Sequence, residues 1–229
     1  MNRFFNMIPG EDACCILLYG DIGEYSDVTA AAIVRELMEA EASGKRIDVR
    51  INSNGGDVYT GIAIFNALRG SKADIHIYVD GIAASMASVI ALCGKPVEMS
   101  KYARLMLHSV SGGCYGNKTE LRRCLEEVEA LENTLCEMYA PKLGTSVEEI
   151  RARYFDDTDH WLKADEALAL GFIDGVYDAD PVPEDSTPEQ VYRIFNNRLE
   201  QPLNDTQMNL EEVKKRPRFK DCATDSDVF

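Results

Sequence analysis

Apolar residues recur along the chain in two rhythms. Residues 14–22, 46–51 and 75–80 are short, β-favouring apolar runs, and each predicts a buried strand. Between them the spacing lengthens to threes and fours. Ile33, Leu37 and Met38 predict a helix that Asp27 can cap and that ends at Ser43 and Gly44. Ile62, Phe65, Ala67 and Leu68 predict a second helix with these residues on one side. Strand, helix, strand, helix, strand is the order of an α/β fold with a parallel sheet and covering helices.

Past residue 80 the run GIAASMASVIA at 81–91 opens an apolar, helix-like stretch directly after a strand, and 97–100 and 104–110 are further strand candidates. Residues 112–116, GGCYG, suit an extended edge segment or a turn. The longest periodic stretch, 117–141, carries Leu121, Leu125, Val128, Leu131, Leu135, Met138 and Tyr139 at helical spacing. That stripe is longer than one small sheet needs, so contact with another subunit stands level with core packing as its explanation. Ser146 and Glu149 form a capping-box signature, 163–170 is a helix stopped by Gly171, and 172–177 is a last short strand. From 178 the composition turns to Asp, Glu and Pro. The chain thus divides into a domain at 1–178 and an extension at 179–229, with a linker over 178–188, a short helix over 188–199 and a flexible tail.

A chain of 229 residues at 45% hydrophobic can bury a sizeable core. The net charge of -15 argues against nucleic acid and anionic membrane as partners, and the basic stretch at 214–220 reads as a solvated tail. No apolar run approaches the roughly 20 residues of a membrane span, and the first ten residues make no secretory signal, which predicts a cytoplasmic protein. Seven cysteines without a CxxC pair read as reduced packing thiols, so neither a disulfide framework nor a zinc site is signalled.

Chemistry concentrates on Ser85. A serine at a strand-to-helix turn stands where unpaired N–H groups and the helix dipole favour developing negative charge, although Ala, Ser and Gly there also serve close packing. Of the three histidines, His76 lies inside a strand and His160 follows an acidic cluster. His108 ends the run LMLH, where a parallel strand leaves the core, and could take the serine proton and return it to a leaving amine. A carboxylate must hold the tautomer of such a histidine. Asp156, Asp157 and Asp159 are all available, and spacing does not choose among them. Gly55 and Gly56, in a turn straight after a strand, can expose backbone N–H groups, and Met86 supplies a second donor by the logic of the nucleophile elbow.

INSNGGD at 51–57, GIAASMA at 81–87, LMLH at 105–108, GGCYG at 112–116 and WLKADEALALGFID at 161–174 resemble, in order, the proteolytic subunit of the Clp protease, and more closely the Clp-like proteases of phages and prophages. The resemblance runs from about residue 16 to 177. It implies a spiral of ββα units, the fold shared with the crotonases, with a long handle helix and assembly as heptameric rings, single or stacked. It implies Ser85 as nucleophile, His108 as base and Asp159, two residues before Trp161, as the acid. Gly56 and Met86 would form the oxyanion hole, and Gly112, Gly113, Cys114 and Tyr115 the edge that pairs with an extended polypeptide substrate. No cofactor is implied, and an AAA+ unfoldase is the expected partner type.

Three positions depart from the family. Asn54 stands where cellular members carry proline, Asp57 puts a charge beside the oxyanion turn, and Thr158 replaces an arginine that links rings. The first expectation is therefore a serine endopeptidase of the capsid-maturation or protein-degradation kind. Set against it are an acyl-CoA enzyme of the crotonase fold, a Ser-Lys dyad peptidase, and a catalytically silent ring subunit.

Overall fold

The computed structural model describes residues 7–9 and 13–177. Strand β1 (Met7–Pro9) pairs antiparallel with β2 (Ala13–Tyr19), and β2, β3 (Arg46–Ser53) and β4 (Ile75–Ala84) run parallel. Helices α1 (Ala30–Ser43) and α2 (Val58–Gly70) are the crossovers that parallel pairing requires. Beyond β4 the sheet continues in parallel through β5 (Val97–Ser100) and β8 (Gly175–Tyr177). The chain is thus the mixed α/β protein with a parallel sheet that its pattern predicts.

Every second residue of β2, β3 and β4 points into the core. Ile16, Leu18, Ile47, Val49, Ile51, Ile77 and Val79 are fully buried there with Ile33 and Leu37 of α1 and Ile64, Phe65 and Leu68 of α2. Each such side chain contributes about 1.5–3 kcal/mol by leaving water. The opposite face of β3 and β4 is polar. Arg50 on β3 forms an ion pair with Asp80 on β4, and the Tyr19 hydroxyl donates to Asp80 at 2.6 Å.

Strand β4 bends the sheet and thereby makes the site. Residues 77–79 pair with β5, whereas residues 82–84 pair with β6 (Arg104–Leu107). The register against β3 slips between Ile51 and Ser53, a bulge beyond which Ala83 of β4 pairs again with Ser53. Strand β7 (His160–Lys163) then adds antiparallel to β6. Around this outcrop lie α3 (Met86–Ala91), α4 (Lys118–Leu143), α5 (Val147–Tyr154) and α6 (Ala164–Ala169).

Local chemistry departs from the sequence reading in several places. The cap of α1 is Thr29, whose hydroxyl accepts from Ala32 N at 3.2 Å, and Asp27 instead accepts weakly from Asp21 N. Met38 is 64% exposed, because the buried stripe of α1 runs through Ile33, Glu36, Leu37 and Ala40. In α2, Gly61 and Ile64 join Phe65 and Leu68 inside, while Ile62 and Ala67 are only partly covered. Helix α4 continues past Pro141 to Leu143 and ends at Gly144 in the left-handed conformation. Strands β1 and β7 are elements that periodicity did not predict. Residues 112–116 form no strand with the described residues. The predicted linker, the helix over 188–199 and the tail lie outside the described residues. No helix among the described residues is long and apolar enough to cross a membrane.

Candidate active site

Ser85 sits between the last residue of β4 and the first turn of α3, with φ 52° and ψ −125°. For a residue with a Cβ this conformation costs about 1–3 kcal/mol, so its surroundings must hold it. Ser85 N donates to Met106 O on β6 at 2.9 Å, and Ser85 O accepts from Ser88 N at 3.0 Å. Strand β6 pairs Met106 with Ala84, so the chain leaves both strands at the same end. His108 follows Leu107, the last residue of β6, and its Nε2 stands 2.7 Å from Ser85 Oγ.

The ladder between β6 and β7 explains which acid meets His108. Its register sets Leu107 opposite His160, and one further step sets residue 108 opposite 159. Asp159 Oδ1 lies 3.8 Å from His108 Nδ1, wider than a hydrogen bond, with 57% of the aspartate side chain exposed. Of the other two aspartates, Asp156 has its carboxylate engaged elsewhere. Asp156 accepts from the Thr158 hydroxyl at 2.7 Å and bonds His160 Nε2 at 2.7 Å. These bonds, Thr158 first, hold its carboxyl down to about 2. Asp157 has φ 64° and uses its N–H on Ser109 Oγ. His76, the remaining histidine, has its Nε2 3.3 Å from Asp74.

The turn after β3 closes over the same spot. Gly55 and Gly56 have φ of 98° and 145°. A Cβ on Gly55 would fall 2.8 Å from Ser85 Cβ and 2.9 Å from Met86 N, and one on Gly56 would fall 2.0 Å from Ile22 O. Only glycine gives the close approach and the backbone angles together. Ile22 N donates to Gly55 O and Asp57 N donates to Ile22 O, which clamps the turn and leaves the Gly56 N–H outside that bridge. Asp57 caps α2, accepting from Thr60 N at 2.7 Å, so its charge sits on the positive end of that helix.

Beside Ser85 opens a pocket of about 160 Å³, lined by Gly56, Met86, Val89, Leu135, Tyr139 and Phe155 among others. The glycine-rich segment runs along the first half of α4. A Cβ on Gly112 would meet Val128, and one on Gly116 would meet Glu120. Cys114 and Tyr115 are exposed. Two buried hydroxyls stand behind the serine: Ser88 Oγ is 2.6 Å from Tyr139 Oη. Sequence reading gave neither a role beyond its helix, since a serine and a tyrosine 51 residues apart carry no spacing signal. Among the described residues no group of three or more His, Cys, Asp or Glu is placed to hold a metal ion.

A hydroxyl, an imidazole and a carboxylate in series, beside amide donors and an apolar pocket, form an arrangement suited to acyl transfer through a covalent intermediate. The sequence profile of the Clp protease family matches residues 12–180. The chain is 32% identical over 157 residues to the ATP-dependent Clp protease proteolytic subunit of Bacteroides fragilis, covering 67% of this chain and 75% of that one. It is 35% identical over 158 residues to the ATP-dependent Clp protease proteolytic subunit 1 of Prochlorococcus marinus, covering 67% of this chain and 80% of that one. The chain belongs to the Clp protease family.

Proposed function

We propose that this chain is a serine endopeptidase that hydrolyses polypeptides through an acyl-enzyme. The observation that carries this reading is the 2.7 Å contact between His108 Nε2 and Ser85 Oγ. His108 takes the Ser85 proton as Oγ attacks the scissile carbonyl, and the oxyanion forms against the N–H groups of Gly56 and Met86. Collapse breaks the C–N bond, with the same proton passing to the leaving amine. Water then repeats the attack on the ester and frees Ser85.

Asp159 stabilises the imidazolium and holds its tautomer. Its carboxylate closes the 3.8 Å separation by rotation of an exposed side chain, the kind of tightening that active sites complete on binding substrate. The pocket of about 160 Å³ suits one apolar side chain next to the cleaved bond. It is below the roughly 300 Å³ at which small-molecule sites begin, which disfavours an acyl-CoA occupant. Residues 112–116 receive the extended substrate backbone through main-chain hydrogen bonds. The working form is a cytoplasmic homo-oligomeric ring that encloses these sites, fed by an AAA+ unfoldase.

Cleavage of a fluorogenic peptide by purified variants tests the reading. Ser85→Ala and His108→Ala each lower turnover by on the order of 10⁴-fold or more, with assembly unchanged. Full turnover in Ser85→Ala ends the proposal, and an active His108→Ala points to a Ser-Lys dyad.

A further inference from the structure

Ser88 and Tyr139 are buried, and their hydroxyls meet at 2.6 Å directly behind the nucleophile. Ser88 Oγ also lies 2.6 Å from Ser85 O, and a carbonyl only accepts. The single proton of Ser88 therefore goes to Ser85 O, and Tyr139 donates to Ser88. Burial pushes the Tyr139 phenol upward, so it stays protonated and able to donate. A serine that bonds back to the carbonyl three residues earlier is ordinary in a helix. A second buried hydroxyl donated to it from another element is not. Two hydroxyls cost more to bury than an apolar pair of the same shape.

Ser85 O and the Met86 N–H belong to one peptide unit. That unit is planar and trans, so fixing where its oxygen points fixes where its N–H points. Donors on the oxygen also polarise the amide and strengthen its N–H as a donor. Tyr139 comes from α4 and lines the pocket on which Ser85 and His108 open, so the chain of bonds links that helix to the peptide plane.

We propose that Ser88 and Tyr139 are positioning residues that aim the Met86 N–H at the oxyanion by holding the Ser85–Met86 peptide plane. This rests on the serine-peptidase reading of Ser85 and Met86. The two hydroxyls bond each other and the Ser85 carbonyl, while the Tyr139 ring lines the pocket. They act through the backbone, and their effect belongs to the transition state and not to substrate binding.

Steady-state kinetics on a fluorogenic peptide, with inhibition by a peptide aldehyde whose hemiacetal mimics the oxyanion, separates positioning from packing. Ser88→Ala lowers kcat about fivefold to tenfold with KM within about twofold, the factor expected from a net hydrogen-bond contribution. Affinity for the aldehyde falls in parallel, and Ser88→Thr restores both. Tyr139→Phe, which removes one oxygen and little volume, gives a smaller loss in the same direction. The double variant Ser88→Ala/Tyr139→Phe leaves no orphaned hydroxyl and serves if Ser88→Ala does not fold. Variants that keep wild-type kcat and aldehyde affinity, or that raise KM alone, overturn the positioning role while the peptidase reading stands. A wild-type chain that cleaves no peptide, or one whose cleavage survives Ser85→Ala, overturns both.

Discussion

At the scale of the residue, three aspartates within four positions carry different tasks because their partners differ. Asp156 is occupied by Thr158 and His160, Asp157 turns the chain with a positive φ, and Asp159 faces His108. Asp159→Asn therefore lowers kcat by roughly 10²-fold to 10⁴-fold, since an amide holds the wrong tautomer. Asp157→Asn changes kcat less than about threefold, because its contribution is a backbone bond to Ser109. Peptide kinetics on the two variants checks this, and the reverse order moves the acid to Asp157. Ser85 and His108 were legible from the chain because each ends an apolar run and opens a turn. Asp159 was not legible from spacing, because its selection depends on the β6–β7 ladder. His160, Trp161, Leu162 and Lys163 alternate in burial but not in hydropathy, so periodicity carries no mark of that strand.

At the scale of the element, helix α4 does two jobs along its length. Its C-terminal half packs Leu135, Cys136 and Tyr139 into the core, whereas Leu121 and Leu125 near its start are 48% and 58% exposed. The length of the apolar stripe was readable; the point at which it leaves the core was not, since that depends on where β6 and α3 end. An exposed apolar stripe on a family member proposed to form rings is the natural surface between subunits. Leu121→Glu with Leu125→Glu shifts the mass measured by light scattering to a smaller species, while thermal stability of the subunit changes little. An unchanged assembly places the interface elsewhere. The same limit explains the smaller misreadings. Met38 and Ile62 fit a helical period, but a stripe read from spacing alone is uncertain by one residue's rotation, about 100°.

At the scale of the molecule, the parallel sheet was legible because short strands with apolar residues at alternate positions are separated by helical periods. The division of β4 between two partners was not, since a bulge leaves no mark in apolar spacing. That division sets the ends of β4 and β6 side by side, and residues 85 and 108 with them. The oxyanion turn arrives independently, from the end of β3, and is held by Ile22. Four segments far apart in sequence thus converge on one carbonyl-sized space. On the peptidase reading, this convergence activates Ser85. The most direct measurement is labelling of the full chain with a fluorophosphonate probe, followed by mass mapping of the modified peptide. One modified residue, Ser85, is expected from that reading, with labelling lost in His108→Ala. Labelling at another serine, or none in a chain shown to be folded and assembled, contradicts it.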